Sequence, residues 1–199
     1  MVLHGAKMTP EEALNLILEA FRMLSMTQAG YEARDFAVFC SERDISNVLE
    51  LGTCAGGMMY VMDRACKPGL RISMDMPWKE RDPSLPDYWE RRFRDQLPHV
   101  VEILGQIHDW EQHKRLADFL AGRNLDLIFA DADHSYVGSK QHFEMYTPFL
   151  RPGGFFAIHD VANHHPCQDW WEREVMPKYE NWRWAEPVNT YGIGCCRVP

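Results

Sequence analysis

Acidic and imidazole side chains gather at four points of the 199-residue sequence. FADADHS carries Asp131, Asp133 and His134, AIHDV carries His159 and Asp160, LRISMDM contains Asp75, and VLELGTCAGG sets Glu50 inside an apolar run just before Gly52, Gly56 and Gly57. Histidine titrates near working pH, so His134 or His159 could take a proton from a hydroxyl. Carboxylates at these points could instead hold a divalent cation that lowers the hydroxyl's pKa. Oxygen ligands alone would suit Mg²⁺, whereas an imidazole favours a transition metal. A plainer reading leaves Asp131 and His134 as turn caps that only order a loop.

The glycine turn narrows the ligand. Glycine admits positive φ and lets backbone N–H groups approach a bound molecule without a Cβ between them. A dinucleotide cradle needs G-x-G-x-x-G, but Gly52-Thr53-Cys54-Ala55-Gly56-Gly57 lacks its second glycine, and no Gly-Lys-Ser/Thr follows for a phosphate loop. Glu50 beside the turn repels phosphate and suits an ammonium. Asp75, ending the next apolar run, is placed to accept two ribose hydroxyls. A ligand with an ammonium at one end and a nucleoside at the other is S-adenosylmethionine. The bland alternative is an ordinary tight turn with a surface acid.

These side chains need strand ends to present them. TPEEALNLILEAFRML reads as a helix capped by Thr9 with Pro10 in its first turn, and YEARDFAVFCSER as a second. Beyond them SNVLELG, LRISMDM, VVEILG, LDLIFADAD and GGFFAIHDV read as buried strands. GGMMYVMDRACK, DWEQHKRLADFLAG and GSKQHFEMYTPFL read as helices between them. PWKERDPSLPDYWERRFRDQLP reads as a loop leading into a helix, QDWWEREVMPKY as a helix, and WRWAEPVNTYGIGCCRV as two strands. Alternation of helices with near-continuous apolar strands implies an α/β fold, a mostly parallel sheet with helices on both faces. Ligands in such sheets bind beyond the carboxyl ends of the strands, which is where Gly52 to Gly57, Asp75, Asp131 to His134, and His159 with Asp160 fall. One domain is expected over residues 1–199, with 1–45 as an N-terminal helical cap and 46–199 as the core.

Bulk composition removes several functions. A net charge of −8 argues against sequence-independent nucleic-acid binding, and the cluster Arg91, Arg92 and Arg94 reads as a solvated helix face. No run has the length of a membrane span, and the N-terminus lacks a secretory pattern, so a cytoplasmic protein is expected. The six cysteines form no CxxC pairs and read as thiols, several of them buried. Two aromatic stretches, DYWERRF and DWWEREVMPKYENWRW, could line an acceptor pocket or simply pack.

VLELGTCAGG, DLIFADADHSYVGSKQHFEMYTPFLRPGGFFAIHDV and YGIGCCRV together resemble the class I S-adenosylmethionine-dependent methyltransferases. In particular they resemble the small bacterial subfamily that includes antibiotic and sugar O-methyltransferases and proteins labelled cephalosporin hydroxylase. The resemblance covers roughly Ser46 to Val198. It implies a Rossmann-like seven-stranded sheet whose terminal strand, in VNTYGIGCCRV, runs antiparallel to its neighbours. It implies that Glu50, Gly52, Thr53, Gly56 and Gly57 meet the methionine end of the cofactor, that Asp75 holds the ribose, and that Gln106 and Ile107 lie by the adenine. Asp131 is also implied at the cofactor, and Asp131 and Asp160 match the metal-dependent members. His159 departs from the acid expected in its place.

The expected function is methyl transfer from S-adenosylmethionine to a hydroxyl of a small molecule or glycan, with Mg²⁺ or another divalent cation as an optional aid. Two other classes stay open. One is a non-catalytic nucleotide-binding module, which would need nothing at Asp131, His134 or Asp160. The other is a metal-dependent oxygenase using His164 and His165 with a carboxylate. The acceptor is not readable, and the N-terminal helices could cover the sheet or swap to a partner in a homo-oligomer.

Overall fold

Thr9 opens the first helix because its hydroxyl accepts from the Glu12 N–H while the Glu12 carboxylate takes the Thr9 N–H, a reciprocal cap with Pro10 in the first turn. The computed structural model describes residues 7–81, 88–185 and 191–199. Within them α1 (Pro10–Met23) and α2 (Gly30–Ser41) precede β1 (Val48–Leu51), α3 (Gly57–Ala65) and β2 (Arg71–Asp75). Two short helices, α4 (Trp78–Arg81) and α5 (Tyr88–Gln96), lead to β3 (Val101–Leu104), α6 (Trp110–Leu120), β4 (Leu125–Ala130) and α7 (Tyr136–Tyr146). Then come β5 (Leu150–His159), α8 (Pro166–Trp170), β6 (Asn181–Trp184) and β7 (Ile193–Arg197).

The seven strands form one sheet in the order β3-β2-β1-β4-β5-β7-β6. Strands β1 to β5 pair in parallel, and β7 runs antiparallel to both β5 and β6, so the terminal strand is reversed as expected. Strand order turns back between β1 and β4, which lie side by side with Leu51 opposite Ala130. That switch point puts Gly52 and Asp131, the next residues of each strand, together at the mouth of a crevice.

Each face of the sheet has its own apolar layer. Ala13, Ile17 and Ala20 of α1, Phe36 of α2 and Met59 of α3 pack with Val48 and Phe129 on one side. Leu116 of α6, Tyr146 of α7 and Trp170 of α8 pack with Leu49, Ile128 and Phe156 on the other. Because side chains alternate across a strand, neighbours such as Val48 and Leu49 must both be apolar, which explains the near-continuous runs.

Several elements differ from expectation in detail. The last long helix is α-helical only to Trp170, and Trp171–Val175 continues with π-helical spacing. Trp170 and Trp171 are both buried in the core rather than exposed to an acceptor. A π turn widens the helix enough for consecutive indoles to reach the sheet, Trp171 lying against Gly194 of β7. The stretch PWKERDPSLPDYWERRFRDQLP holds two helices rather than one, and its residues 82–87 lie outside those described, as do 186–190 between the last two strands. No disulfide links any of the six cysteines, and all but Cys54 are buried. Among the described residues no helix is long and apolar enough to cross a membrane.

Candidate active site

Gly52 follows β1 with φ +83°, and a Cβ there would lie 2.2 Å from the Asp131 carbonyl oxygen. Only glycine lets β1 and β4 close at this point. Gly52→Ala is therefore expected to cost about 2–5 kcal/mol, from left-handed strain plus a backbone clash, read as a lowered urea midpoint. The next glycines have a packing role, and Gly57 also lines a hollow beside Glu50. A Cβ at Gly56 (φ +90°) would meet the Phe93 ring of α5 at 2.2 Å, and one at Gly57 would meet the Ser25 carbonyl at 2.6 Å. The Gly57 N–H already donates to that carbonyl, so both glycines seat neighbouring protein on the turn.

Glu50 is 1% exposed, and its Oε2 has no hydrogen-bond partner. Burial pushes its carboxyl well above the usual range; a hydrogen bond with Thr53 opposes this, and the nearby charges of Asp131 and Asp75 add to it. Thr53 is itself fixed by a hydrogen bond from the Ser73 hydroxyl, 2.7 Å long. Glu50 lines a narrow hollow under residues 25–28, together with Gly52, Thr53 and Asp131. An orphaned acceptor in a closed hollow is what an ammonium would complete.

The hollow adjoins a cavity of about 300 Å³ lined by Gly52, Cys54, Asp75, Met76, Ile107 and His142. Asp75 accepts from the Cys54 N–H through Oδ2 (2.8 Å) and from the Met76 N–H through Oδ1 (2.7 Å), so its carboxylate is held at the rim. Gln106 also lines the cavity, its amide nitrogen 2.9 Å from the Met76 sulfur. Ile107 is buried, and its carbonyl accepts from the Tyr146 hydroxyl at 2.6 Å. One wall carries an unforeseen pair: His108 stacks on His142 with ring centroids 4.7 Å apart. Burial, helped by the neighbouring His108, pushes His142 down to about 3, so it is neutral.

Asp131, His134, His159 and Asp160 do come together at the ends of β4 and β5, in a defined order. His159, 2% exposed, is the hub. Its Nδ1 faces Asp131 Oδ1 and Asp160 Oδ1, each at 3.1 Å, and its Nε2 faces Glu32 Oε1 of α2 at 2.9 Å. Burial alone would lower its pKa, but hydrogen bonds to Asp131 and Glu32 carry it up to about 10. Both ring nitrogens of His159 are thus turned to carboxylates, and its ligand atoms are not among those that converge on one point.

His134 has the opposite situation. Its Nδ1 lies 2.5 Å from Asp160 Oδ2, and its side chain is 40% exposed. That hydrogen bond is the largest influence raising its pKa, opposed by burial. Donor atoms of Asp131, His134 and Asp160 lie within 4.8 Å of one another, so the three could hold a cation, with His134 standing where His159 was expected. The pair weighed for an oxygenase is not assembled. His165 Nδ1 is 3.6 Å from Asp160, while the His164 N–H is bonded to the Gln168 side chain, and neither belongs to the converging group.

A family model described as a methyltransferase domain matches residues 49–161, more than half of the chain. The chain belongs to the class I S-adenosylmethionine-dependent methyltransferases. The sheet of this methyltransferase is shared with solved structures at low identity. An O-methyltransferase from Bacillus cereus in complex with SAH is 17% identical with a TM-score of 0.65, the match covering 96% of this chain and 90% of that one. The O-methyltransferase TomG from Streptomyces achromogenes, involved in tomaymycin synthesis and solved with SAM, is 16% identical with a TM-score of 0.63, covering 94% and 89%. An O-methyltransferase from Thermotoga maritima is 16% identical with a TM-score of 0.58, covering 92% and 71%. A search of curated proteins finds no match to the sequence.

Two residues that touch the candidate site lie before the matched region and escaped sequence reasoning. Gln28 donates through Nε2 to Asp131 Oδ2 at 2.5 Å, and Glu32 clamps His159. The visible signal at Glu32 is a helix-start acid, which it also is, since it accepts from the Ala29 N–H at 2.8 Å.

Proposed function

We propose that this methyltransferase transfers the methyl group of S-adenosylmethionine to a hydroxyl of a small molecule or glycan, with His134 as the base. The observation that carries the reading is the juxtaposition at one crevice of a buried, unpartnered Glu50 oxygen and a His134–Asp160 pair beside Asp131. When bound, S-adenosylmethionine supplies an electrophilic methyl group on a sulfonium. Glu50 takes the ammonium of its methionine end, and Asp75 accepts from the ribose hydroxyls. Asp160 accepts from His134 Nδ1–H, which leaves the lone pair on Nε2 to receive the acceptor's hydroxyl proton. Proximity supplies the rest, since methyl transfer is an in-line displacement that needs the two reactants aligned. The Bacillus cereus and Streptomyces O-methyltransferases agree with an oxygen acceptor at the level of fold.

A second reading is favoured by the convergence of Asp131, His134 and Asp160. Those three would hold a divalent cation, which lowers the pKa of a hydroxyl it touches and orients it. The imidazole among them favours a transition metal over Mg²⁺. The two readings compete for His134, so one experiment separates them. SAH formation is followed against a panel of phenolic and sugar hydroxyls, in EDTA and then with added Mn²⁺. Turnover that survives EDTA supports the base reading, and turnover restored only by Mn²⁺ supports the metal. A protein that binds SAH but methylates none of the panel in either condition would favour a binding module.

A further inference from the structure

Beyond that reading, we propose that Glu32 and Gln28, on the N-terminal segment, are positioning residues that set the geometry of Asp131 and Asp160. The geometry makes the case. Three carboxylates surround one imidazole: Glu32 from α2, Asp131 from the end of β4 and Asp160 after β5. The Nδ1 side forks between the two aspartates at 3.1 Å each, so the ring's angle fixes how far apart they stand. A ring held only on that side could turn toward either aspartate. Glu32 at Nε2 supplies the second point and fixes the plane.

Glu32 is itself rigidly held. It is 2% exposed, its Oε1 also accepts from the Ala29 N–H, and its Oε2 accepts from the Gly192 N–H at 2.8 Å. One carboxylate therefore ties the start of α2, the end of β5 and the approach to β7. Gln28 completes the cage by donating to Asp131 Oδ2, so both oxygens of Asp131 are directed by the neighbouring side chains Gln28 and His159. Asp160 adopts φ +68°, a left-handed backbone that surrounding structure must hold in place. Ion pairing of a helix to a core would need only one carboxylate–imidazole contact; the fork on the far side of the ring is what transmits Glu32 to the reacting groups.

The test is NMR of protein labelled with ¹⁵N-histidine, the His159 ring resonances being assigned with His159→Gln. The parent should show two slowly exchanging ring N–H protons on His159, one facing Glu32 and one facing the aspartates. Glu32→Gln should shift or broaden the Nδ1–H resonance on the aspartate side and lower the melting temperature, since it removes one partner of a buried pair, while SAH affinity stays within twofold of the parent. Gln28→Ala, which disturbs no helix-start contact, should shift the same resonance and stands in if Glu32→Gln fails to fold. With an acceptor found by the panel above, both variants should lose about 10- to 100-fold in kcat, and Glu32→Gln, which lies outside the hollow, should leave KM for S-adenosylmethionine unchanged. An Nδ1–H resonance indifferent to both substitutions would overturn the proposal and leave the two residues as anchors of the helical segment alone. The NMR arm reads the cage whether or not SAH binds, so failure of the methyl-transfer reading and failure of this inference are separate results.

Discussion

Glu50→Gln should weaken SAH binding by about 100-fold while making the unliganded protein more heat-stable. Removing one partner of a buried charge pair costs about 3 kcal/mol or more, and each 1.4 kcal/mol is a factor of ten. Stability should move the other way. The folded protein raises the Glu50 pKa well above 4.5, chiefly by burial, so folding disfavours the ionised carboxylate. Its contribution to stability is fully present at pH below the unfolded value and is lost as pH rises through the raised folded value. Glutamine removes that loss. Differential scanning at pH 8 should therefore show a higher melting temperature for the variant, with the gap closing toward pH 4. The same shift has a binding signature. Because the ammonium requires an ionised partner, SAH binding should expel the Glu50 proton below the raised pKa, and affinity should climb with pH toward that value. Calorimetry in two buffers of different ionisation enthalpy would register the released proton. A Glu50→Gln protein that is less stable and binds SAH normally would assign Glu50 to packing.

His134→Gln is the second large effect. If His134 Nε2 receives the acceptor's proton, its loss should reduce turnover by about 10²–10⁴-fold. SAH affinity should change little, because the hollow and cavity that hold the cofactor are lined by Glu50, Asp75 and their neighbours and not by His134. Asp160→Asn should lower turnover as well, since the amide cannot hold the Nδ1–H through a charged oxygen 2.5 Å away. His159→Gln serves as the contrast. It removes an imidazole whose nitrogens both face carboxylates, so any loss there is expected to reflect displaced aspartates rather than a missing base. Equal turnover in His134→Gln and the parent, with no metal requirement, would leave proximity as the whole of the catalysis.

How far the sequence reached differs between the scaffold and the site. The strands were legible because two-sided burial forces apolar neighbours, as at Val48-Leu49 and Ile128-Phe129. Glu50, Asp75 and Asp131 were legible for the same reason, since an acid in or at the end of such a run is conspicuous. The division of labour between His134 and His159 was not. It depends on Glu32, which lies 127 positions from His159 and whose local pattern spells only a helix start. Nor could the glycine string reveal that Gly56 and Gly57 also pack against Phe93 and Ser25, because a turn glycine looks alike whether or not a neighbouring chain segment sits against it. For the stretch with Trp170 and Trp171 the sequence left an acceptor pocket and plain packing both open, and burial of the two indoles across a π turn decides for packing.

The central claim is that the hollow at the end of β1 grips the two ends of a sulfonium nucleoside. A crystal structure of the protein grown with SAH tests it most directly. The account predicts the amino group against the Glu50 carboxylate and both ribose hydroxyls on Asp75. SAH seated elsewhere, or seated in the crevice with Glu50 still unpartnered, would contradict it.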